Sequence, residues 1–445
     1  MTRHSLKSAF NRRQVLKGVA ATVGCAVVPD ALASAQDLVQ APAQTPWRLT
    51  AEDEAFLDDL QRRACMFFWD QGSHNTGQIL DRARNDLNGS RDPRRMASIA
   101  STGFGLSALC IADHRGYLPH AQLQERVKTC LSWHLNSMPE VRGFFYHFTD
   151  IETGARYRAA ELSSIDTAIL LCGVQTARAH FDDPQLHSLA QQIYDRVDWP
   201  WMLNGARAFS MGWQPESGFL KYRWEHYCEL MMIDLLAIGS RTHPIPAEYW
   251  NNFSRSFIHY KDFDYISGND PLFTHQYSQA WFDFRDKRDA YANYYTNSII
   301  ATRAHKAFCL SYPNWYNEDF WGITSSDFAG GYTAWGGPPA LGPIDGTVVP
   351  SATAGSLAFL PADCISVLKA MRSKWGKQAW GQYGFVDAFH PSANWYDPDV
   401  LGIDQGISVL MAENLRSGFI WDTFMRNSQS TQAFKLAGFS SDANT

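Results

Sequence analysis

Four acidic stretches of the chain carry residue types that could cleave a bond by proton transfer. The first is Glu161-Leu162-Ser163-Ser164-Ile165-Asp166. Ser163 with Asp166 three residues on reads as a capping box opening a helix, so Asp166 is either a cap or a site acid. Glu161 lies outside that box. The second stretch ends on Cys228-Glu229, at the mouth of the apolar run Leu230 to Ile238, whose one charge is Asp234. Helical periodicity over 222–239 puts Tyr222, Glu225 and Glu229 on one stripe. A carboxyl beside such a run is dry, and a raised pKa suits it to donate a proton. Glu225 as a neighbouring charge pushes the same way. The third stretch is Asp345-Gly346-Thr347, behind a glycine-rich loop, where Asp-Gly is also a common turn pair. The fourth is Gly402-Ile403-Asp404-Gln405-Gly406. Asp404 is placed as the N-cap of the last long helix, where the helix dipole holds a carboxylate ionised, as a base requires.

Two carboxyls with divergent environments are what glycoside cleavage needs: an acid for the leaving oxygen and a base for water. Aromatic residues make up 14% of the chain, including 16 Trp. Trp213, Trp281, Trp321, Trp335 and Trp395 either grip sugar rings or pack the core. A net charge of −6 argues against a nucleic-acid surface. There is no H-E-x-x-H, no Walker loop and no G-x-S-x-G, and Gly103-Phe104-Gly105 lacks the rest of a dinucleotide fingerprint. His74, His134, His147, His226 and His275 are scattered without metal-ligand spacing. No cofactor or metal is expected.

The elements that must position these groups are helical. Thr50-Ala51-Glu52-Asp53 fits a capping box, and Phe56, Leu57, Leu60, Ala64, Phe67 and Phe68 form one apolar face behind it. Helical patterns follow at about 98–113, 120–137, 162–182, 184–197, 222–239, 246–258, 293–310, 361–374 and 404–416. Strand-like alternation is local, as in Gly143-Phe144-Phe145-Tyr146-His147-Phe148. The pattern is all-α, and twelve helices in two concentric rings fit it, as does another large all-α fold. No short strict repeat signals a solenoid. No linker divides the chain after residue 50, so 50–445 is expected to be a single domain.

The N-terminus reads as an address. Asn11-Arg12-Arg13-Gln14-Val15-Leu16-Lys17 resembles a twin-arginine export motif. An apolar stretch to Val28 and the cleavage pattern Ala33-Ser34-Ala35 follow, so residues 1–35 are expected to be a signal peptide and 36–49 a loose leader. Gly24-Cys25 offers a lipoprotein site instead, against which Thr22 stands where an aliphatic residue is usual. No later run reaches the roughly 18 apolar residues of a membrane span. The expected location is the periplasm or outside the cell. Seven cysteines remain beyond the signal, none in a C-x-x-C pair, and they read as buried free thiols.

Nine motifs in order carry a resemblance: Ser101 to Leu106, Gly143 to Phe148, Glu161 to Ala168, Tyr227-Cys228-Glu229, Gly239 to His243, Asn297-Ser298, Asp345 to Thr347, Gly402 to Gly406 and Glu413-Asn414. Together they resemble the glucoamylase-like domain of the bacterial β-1,2-glucanases, glycoside hydrolase family 144, over about residues 52–440. The resemblance implies an (α/α)6 barrel with long active-site loops whose cleft binds β-1,2-glucan, working by inversion without a metal; a monomer is expected. It implies Glu229 as general acid and Asp404 as the base acting on water. Glu161 and Asp166 match acidic positions that bind sugar or support the acid. His147, Trp213, Glu225, Trp335, Asp345 and Trp395 are counted with them as substrate-binding or supporting residues. Cys228 departs from the Asn expected before the Glu, which removes a sugar contact. A transglycosylase or an exo-acting enzyme on the same scaffold is the alternative reaction. A non-catalytic glycan-binding protein is the alternative of another class, against which the joint presence of Glu161, Glu229 and Asp404 speaks.

Overall fold

A computed structural model describes residues 48–269 and 271–442. The expected signal peptide and most of the leader lie outside the described residues. No helix among them is long and apolar enough to cross a membrane.

Fourteen α-helices run through the described residues, joined by two- to four-residue strand ribbons. They are α1 (Ala51–Asp70), α2 (Ile99–His114), α3 (His120–Asn136), α4 (Ser164–His180), α5 (Pro184–Asp195), α6 (Trp199–Leu203), α7 (Leu230–Ile238), α8 (Tyr277–Trp281), α9 (Tyr294–Leu310), α10 (Pro350–Ala354), α11 (Pro361–Ala379), α12 (Gly402–Arg416), α13 (Phe419–Phe424) and α14 (Ser428–Leu436). The Thr50 capping box is present: its hydroxyl accepts from the Asp53 amide at 3.1 Å, and Asp53 Oδ2 accepts from the Thr50 amide at 3.2 Å.

Six helices, α2, α4, α7, α8, α10 and α12, are buried almost all round and form an inner ring. A helix apolar on every face must be enclosed by others. The amphipathic helices α1, α3, α5, α9 and α11 pack outside them. The sixth outer place, beside α7, is taken by α14 from the far end of the chain. Its Phe434 packs edge-on to Phe282 and Phe284 just after α8. The fold is an (α/α)6 barrel, with no closed sheet among the described residues.

The tightest crossing is between α2 and α4. A Cβ built on Gly173 would lie 2.0 Å from the Gly103 carbonyl oxygen, and one on Gly103 would lie 2.3 Å from the Ile169 carbonyl oxygen. These glycines let two backbones touch. That is the role of Gly103, the residue an incomplete dinucleotide fingerprint would have claimed.

Two expected helices are corrected. Residues 222–229 are not helical, and α7 starts only at Leu230. Arg223 pairs with Ser210 and His226 with Ser254 as isolated bridges, and the Trp224 amide donates to the Phe209 carbonyl at 3.0 Å. Extended pairing therefore takes the backbone groups a helix would need. The expected helix at 246–258 is a 3-10 turn, Ala247–Asn251, followed by the strand Phe257–Tyr260.

Candidate active site

The inner helices run parallel, with their N-termini at one end. The α7 and α8 N-termini touch, since Ser278 Oγ donates to the Glu229 carbonyl at 3.0 Å. Those of α10 and α12 touch, since Ser351 Oγ donates to Asp404 Oδ1 at 2.9 Å. At their far ends α8 and α12 meet again, where Asn414 Nδ2 donates to the Ala280 carbonyl at 2.9 Å. Ser98 of the α2 cap, Asp166 of the first α4 turn, and Leu401 and Ile403 at the start of α12 line one pocket with Asp81, Arg82, His147 and Tyr332.

Each candidate acid sits at this rim. Glu229 holds the residue before α7, is 2% exposed, and its side chain makes no capping bond to that helix. Asp404 is 5% exposed. It is not the expected N-cap: the helix begins at Gly402 with Leu401 as cap, so Asp404 is the third residue of the first turn. The partial positive charge of the helix N-terminus extends over that turn.

Glu161, Asp166 and His147 form a buried cluster. His147 Nδ1 lies 3.3 Å from Glu161 Oε1 and 3.6 Å from Asp166 Oδ2. Asp166 is a cap partner that also lines the rim pocket: its amide donates to Ser163 Oγ at 3.0 Å, and that hydroxyl donates to Asp166 Oδ2. The two readings left open by the sequence are therefore compatible.

The remaining candidates divide. Trp213 and Trp395 are half-buried on ribbons. Trp281, Trp321 and Trp335 are fully buried. The Trp281 indole donates to Ser107 Oγ at 2.9 Å and that of Trp335 to Ser326 Oγ at 3.2 Å. They pack the interior, which corrects Trp335 as a sugar contact. Glu225 is exposed and off any helical stripe with Glu229, because the chain there is extended. Asp345 Oδ1 accepts from the Thr347 amide at 2.9 Å, the turn role of an Asp-Gly pair.

The fold brings a second group of acids together. Asp327, Asp387 and Asp397 place one oxygen each within 4.8 Å of one another. Burial, and then the charge of Asp404, hold Asp387 well above the carboxylate range. Burial pushes Asp397 up to about 8. Asp387 stands between Val386 and Ala388, so a charge set in an apolar run was the available signal. Asp234, mid-way along α7, gives the same signal and is pushed up to about 8 by burial against the opposing pull of Arg255. All seven cysteines among the described residues are buried free thiols.

Residues 221–428 match the family model described as "Putative glucoamylase". An exo beta-1,2-glucooligosaccharide sophorohydrolase (non-reducing end) of Parabacteroides distasonis is 25% identical over 417 residues, covering 84% of this chain and 56% of that protein. The chain thus spans little more than half the length of that relative. Among solved structures, the endo-beta-1,2-glucanase of Chitinophaga pinensis, in complex with sophorotriose and glucose, superposes with a TM-score of 0.80 at 25% identity, covering 88% of this chain and 99% of that one. A "putative glucoamylase" of Bacteroides fragilis gives a TM-score of 0.80 at 26% identity, covering 89% and 99%. The chain is similar to glucoamylase-like proteins over residues 221–428, and the resemblance drawn from its motifs is borne out.

Proposed function

We propose that this chain is a glycoside hydrolase that cleaves β-1,2-glucan within the polymer by an inverting acid/base mechanism. Glu229 donates the proton to the leaving oxygen, and Asp404 draws a proton from the attacking water. One observation carries the reading: Asp166, Glu229 and Asp404 occupy the N-terminal ends of three parallel inner helices, at one rim. Glu229 opens the apolar run of α7, and Asp404 stands in the first turn of α12, where its Oδ1 accepts from Ser351 Oγ at 2.9 Å. The roles of acid and base follow the match of Glu229 and Asp404 to the corresponding motifs of the glucoamylase-like domain. Glu161, Asp166 and His147 bind sugar or hold the substrate, with Trp213 and Trp395 as stacking faces. The relatives that hydrolyse β-1,2-glucans support the substrate class. The protein is exported by the twin-arginine route to the periplasm or beyond and acts as a monomer.

The test is incubation with linear β-1,2-glucan, with starch and β-1,3-glucan as controls, followed by chromatography of the products. A spread of short oligosaccharides from β-1,2-glucan alone is expected. Glu229→Gln abolishes turnover and keeps folding and glucan binding; normal turnover in that variant rejects the assignment. One observation favours a second reading, exo action: the sophorohydrolase relative works from the non-reducing end. Release of a single disaccharide from the first time point selects it, and exchange of oligosaccharide lengths without net hydrolysis selects transglycosylation.

A further inference from the structure

We propose that Asp327, Asp387 and Asp397 bind a calcium ion that fastens the hairpin 326–333 to the foot of α12. The site is structural and lies beside the base, near enough for the Asp404 charge to act on Asp387. Two of its ligands, Asp387 and Asp397, flank one short ribbon, and the third, Asp327, comes from 60 residues earlier. Asp327 lies in the hairpin formed by Ser326–Phe328 and Gly331–Thr333. Asp387 follows the ribbon after α11, and Asp397 precedes the strand Asp399–Leu401 that runs into α12. These segments already touch: the Asp327 amide donates to Asp387 Oδ2 at 2.8 Å, the Asp387 amide to the Asp399 carbonyl at 3.0 Å, and the Asp397 amide to the Ala388 carbonyl at 3.0 Å.

The charges around the cluster are unbalanced. Arg82 serves Asp81 at 3.0 Å and Asp327 at 2.6 Å, and Arg94 serves Asp92 at 2.7 Å and Asp399 at 2.6 Å. Among the described residues no cationic side chain forms an ion pair with Asp387 or Asp397, and Arg82, whose charge acts on Asp387, is already shared by Asp81 and Asp327. Both are buried, 3% and 5% exposed. Asp387 Oδ1 and Asp397 Oδ2 have no hydrogen-bond partner in the protein. An unpaired buried carboxylate oxygen is strongly unfavourable, and buried charges are paired or coordinate metal. A proton shared between Asp397 and Asp327 would answer for one of these oxygens and leave Asp387 Oδ1 unmatched; one cation answers for both.

The donor set identifies the ion. All three ligands are carboxylates, which select hard cations. Calcium takes a protein-built cage of carboxylate oxygens, which three buried aspartates from neighbouring segments supply. Magnesium usually keeps several waters and is held by one or two carboxylates, so it fits this set less well. A bound ion would hold Tyr332, which lines the rim pocket from the second strand of the hairpin, over the first turn of α12.

The test uses the whole protein stripped with chelator and titrated with terbium, which substitutes for calcium and emits when excited through a nearby indole. Trp335, bonded to Ser326, and Trp395, two residues from Asp397, are donors in place. A saturable emission is expected, displaced by excess calcium and lost in both Asp387→Asn and Asp397→Asn. Calcium at about a hundredfold excess over its Kd is expected to raise the Tm of the wild-type protein by about 3 °C over the chelated sample. Equal terbium emission in wild type and variants overturns the assignment. So does a wild-type Tm that is the same in chelator and in millimolar calcium, and that measurement decides the matter even if neither variant folds. Neither readout involves glucan, so failure here leaves the acid/base assignment as it stands, and failure of that assignment leaves this one.

Discussion

Gly173→Ala sets two forces of opposite sign against each other. In a helix interior, alanine is favoured over glycine by about 1 kcal/mol, so propensity alone makes the change stabilising. The crossing of α2 and α4 opposes it. The new Cβ would lie 2.0 Å from the Gly103 carbonyl oxygen, where ordinary contact begins at 3.4 Å, so the backbones must part by roughly 1.4 Å. Overpacking of a core costs about 1–3 kcal/mol, and rigid backbone on both sides puts this case at the upper end. The net expectation is a loss of about 2 kcal/mol. With an unfolding entropy of about 2.1 cal/mol/K per residue over ~400 residues, that lowers Tm by about 2–3 °C. Gly376→Ala on α11 is the control: its nearest neighbour is Arg372 Cγ at 3.6 Å, so propensity acts alone and Tm rises by about 1 °C. Calorimetry of the two variants against wild type gives both signs. The crossing also sets where Ser98 and Asp166 stand at the rim, so turnover on β-1,2-glucan in Gly173→Ala is expected to fall at least about tenfold at temperatures far below Tm. A Tm equal to or above wild type in Gly173→Ala refutes the account of the crossing.

Asp234 is held neutral by burial, with its pKa raised from 3.8 to about 8. The stability this neutral form brings is fully present below 3.8 and is lost as pH rises towards 8. Asp234→Asn removes that slope, so its Tm advantage over wild type should grow between pH 4 and pH 8, by at most about 1.4 kcal/mol per unit, and level off above; parallel pH curves would reject the buried-acid account. Ser351→Ala removes the hydroxyl that orients Asp404, and a bond to a charged group contributes about 1.5–3 kcal/mol. Steady-state kinetics should show kcat down roughly 10- to 100-fold with KM little changed; a rise in KM alone would place Ser351 in substrate binding instead. Trp213→Ala should raise KM and leave Tm near wild type, whereas Trp335→Ala should lower Tm by several degrees, as loss of a buried indole costs about 3–5 kcal/mol.

The long amphipathic helices were legible because cap and stripe coincide, as at Thr50 with Phe56, Leu60 and Phe67. The short inner helices were not. Buried on all sides, α8 and α10 have no polar face to set a period, and polar residues near them are satisfied inside. Gln279 Nε2 donates to the Tyr294 carbonyl at 2.8 Å, and Gln276 Nε2 to the Ala352 carbonyl at 2.9 Å. The stretch before Glu229 misled for the opposite reason: its spacing is helical, but partners at Phe209 and Ser254 take its backbone into extended pairing. Of the five tryptophans, composition could not separate Trp335, whose indole reaches Ser326 inside the core, from Trp213 on its ribbon. The acids Asp327, Asp387 and Asp397 lay hidden because only the tertiary fold brings Asp327 to the pair Asp387 and Asp397, 60 and 70 positions further on.

The seat of α14 beside α7 makes the order of synthesis matter. The chain between α7 and α8 supplies a 3-10 turn and a strand pair where the ring needs an outer helix, and the missing wall arrives nearly 200 residues later. Its fit is close: a Cβ on Gly239 would lie 2.5 Å from the Gln429 carbonyl oxygen. Until Ser428 to Leu436 have left the ribosome, the outward side of α7 stays open to solvent. Contacts of such long sequence separation form slowly and late. The toroid therefore locks only after translation has passed its last turn, and a nascent chain stalled short of that point offers chaperones and proteases an apolar groove that the finished protein does not have.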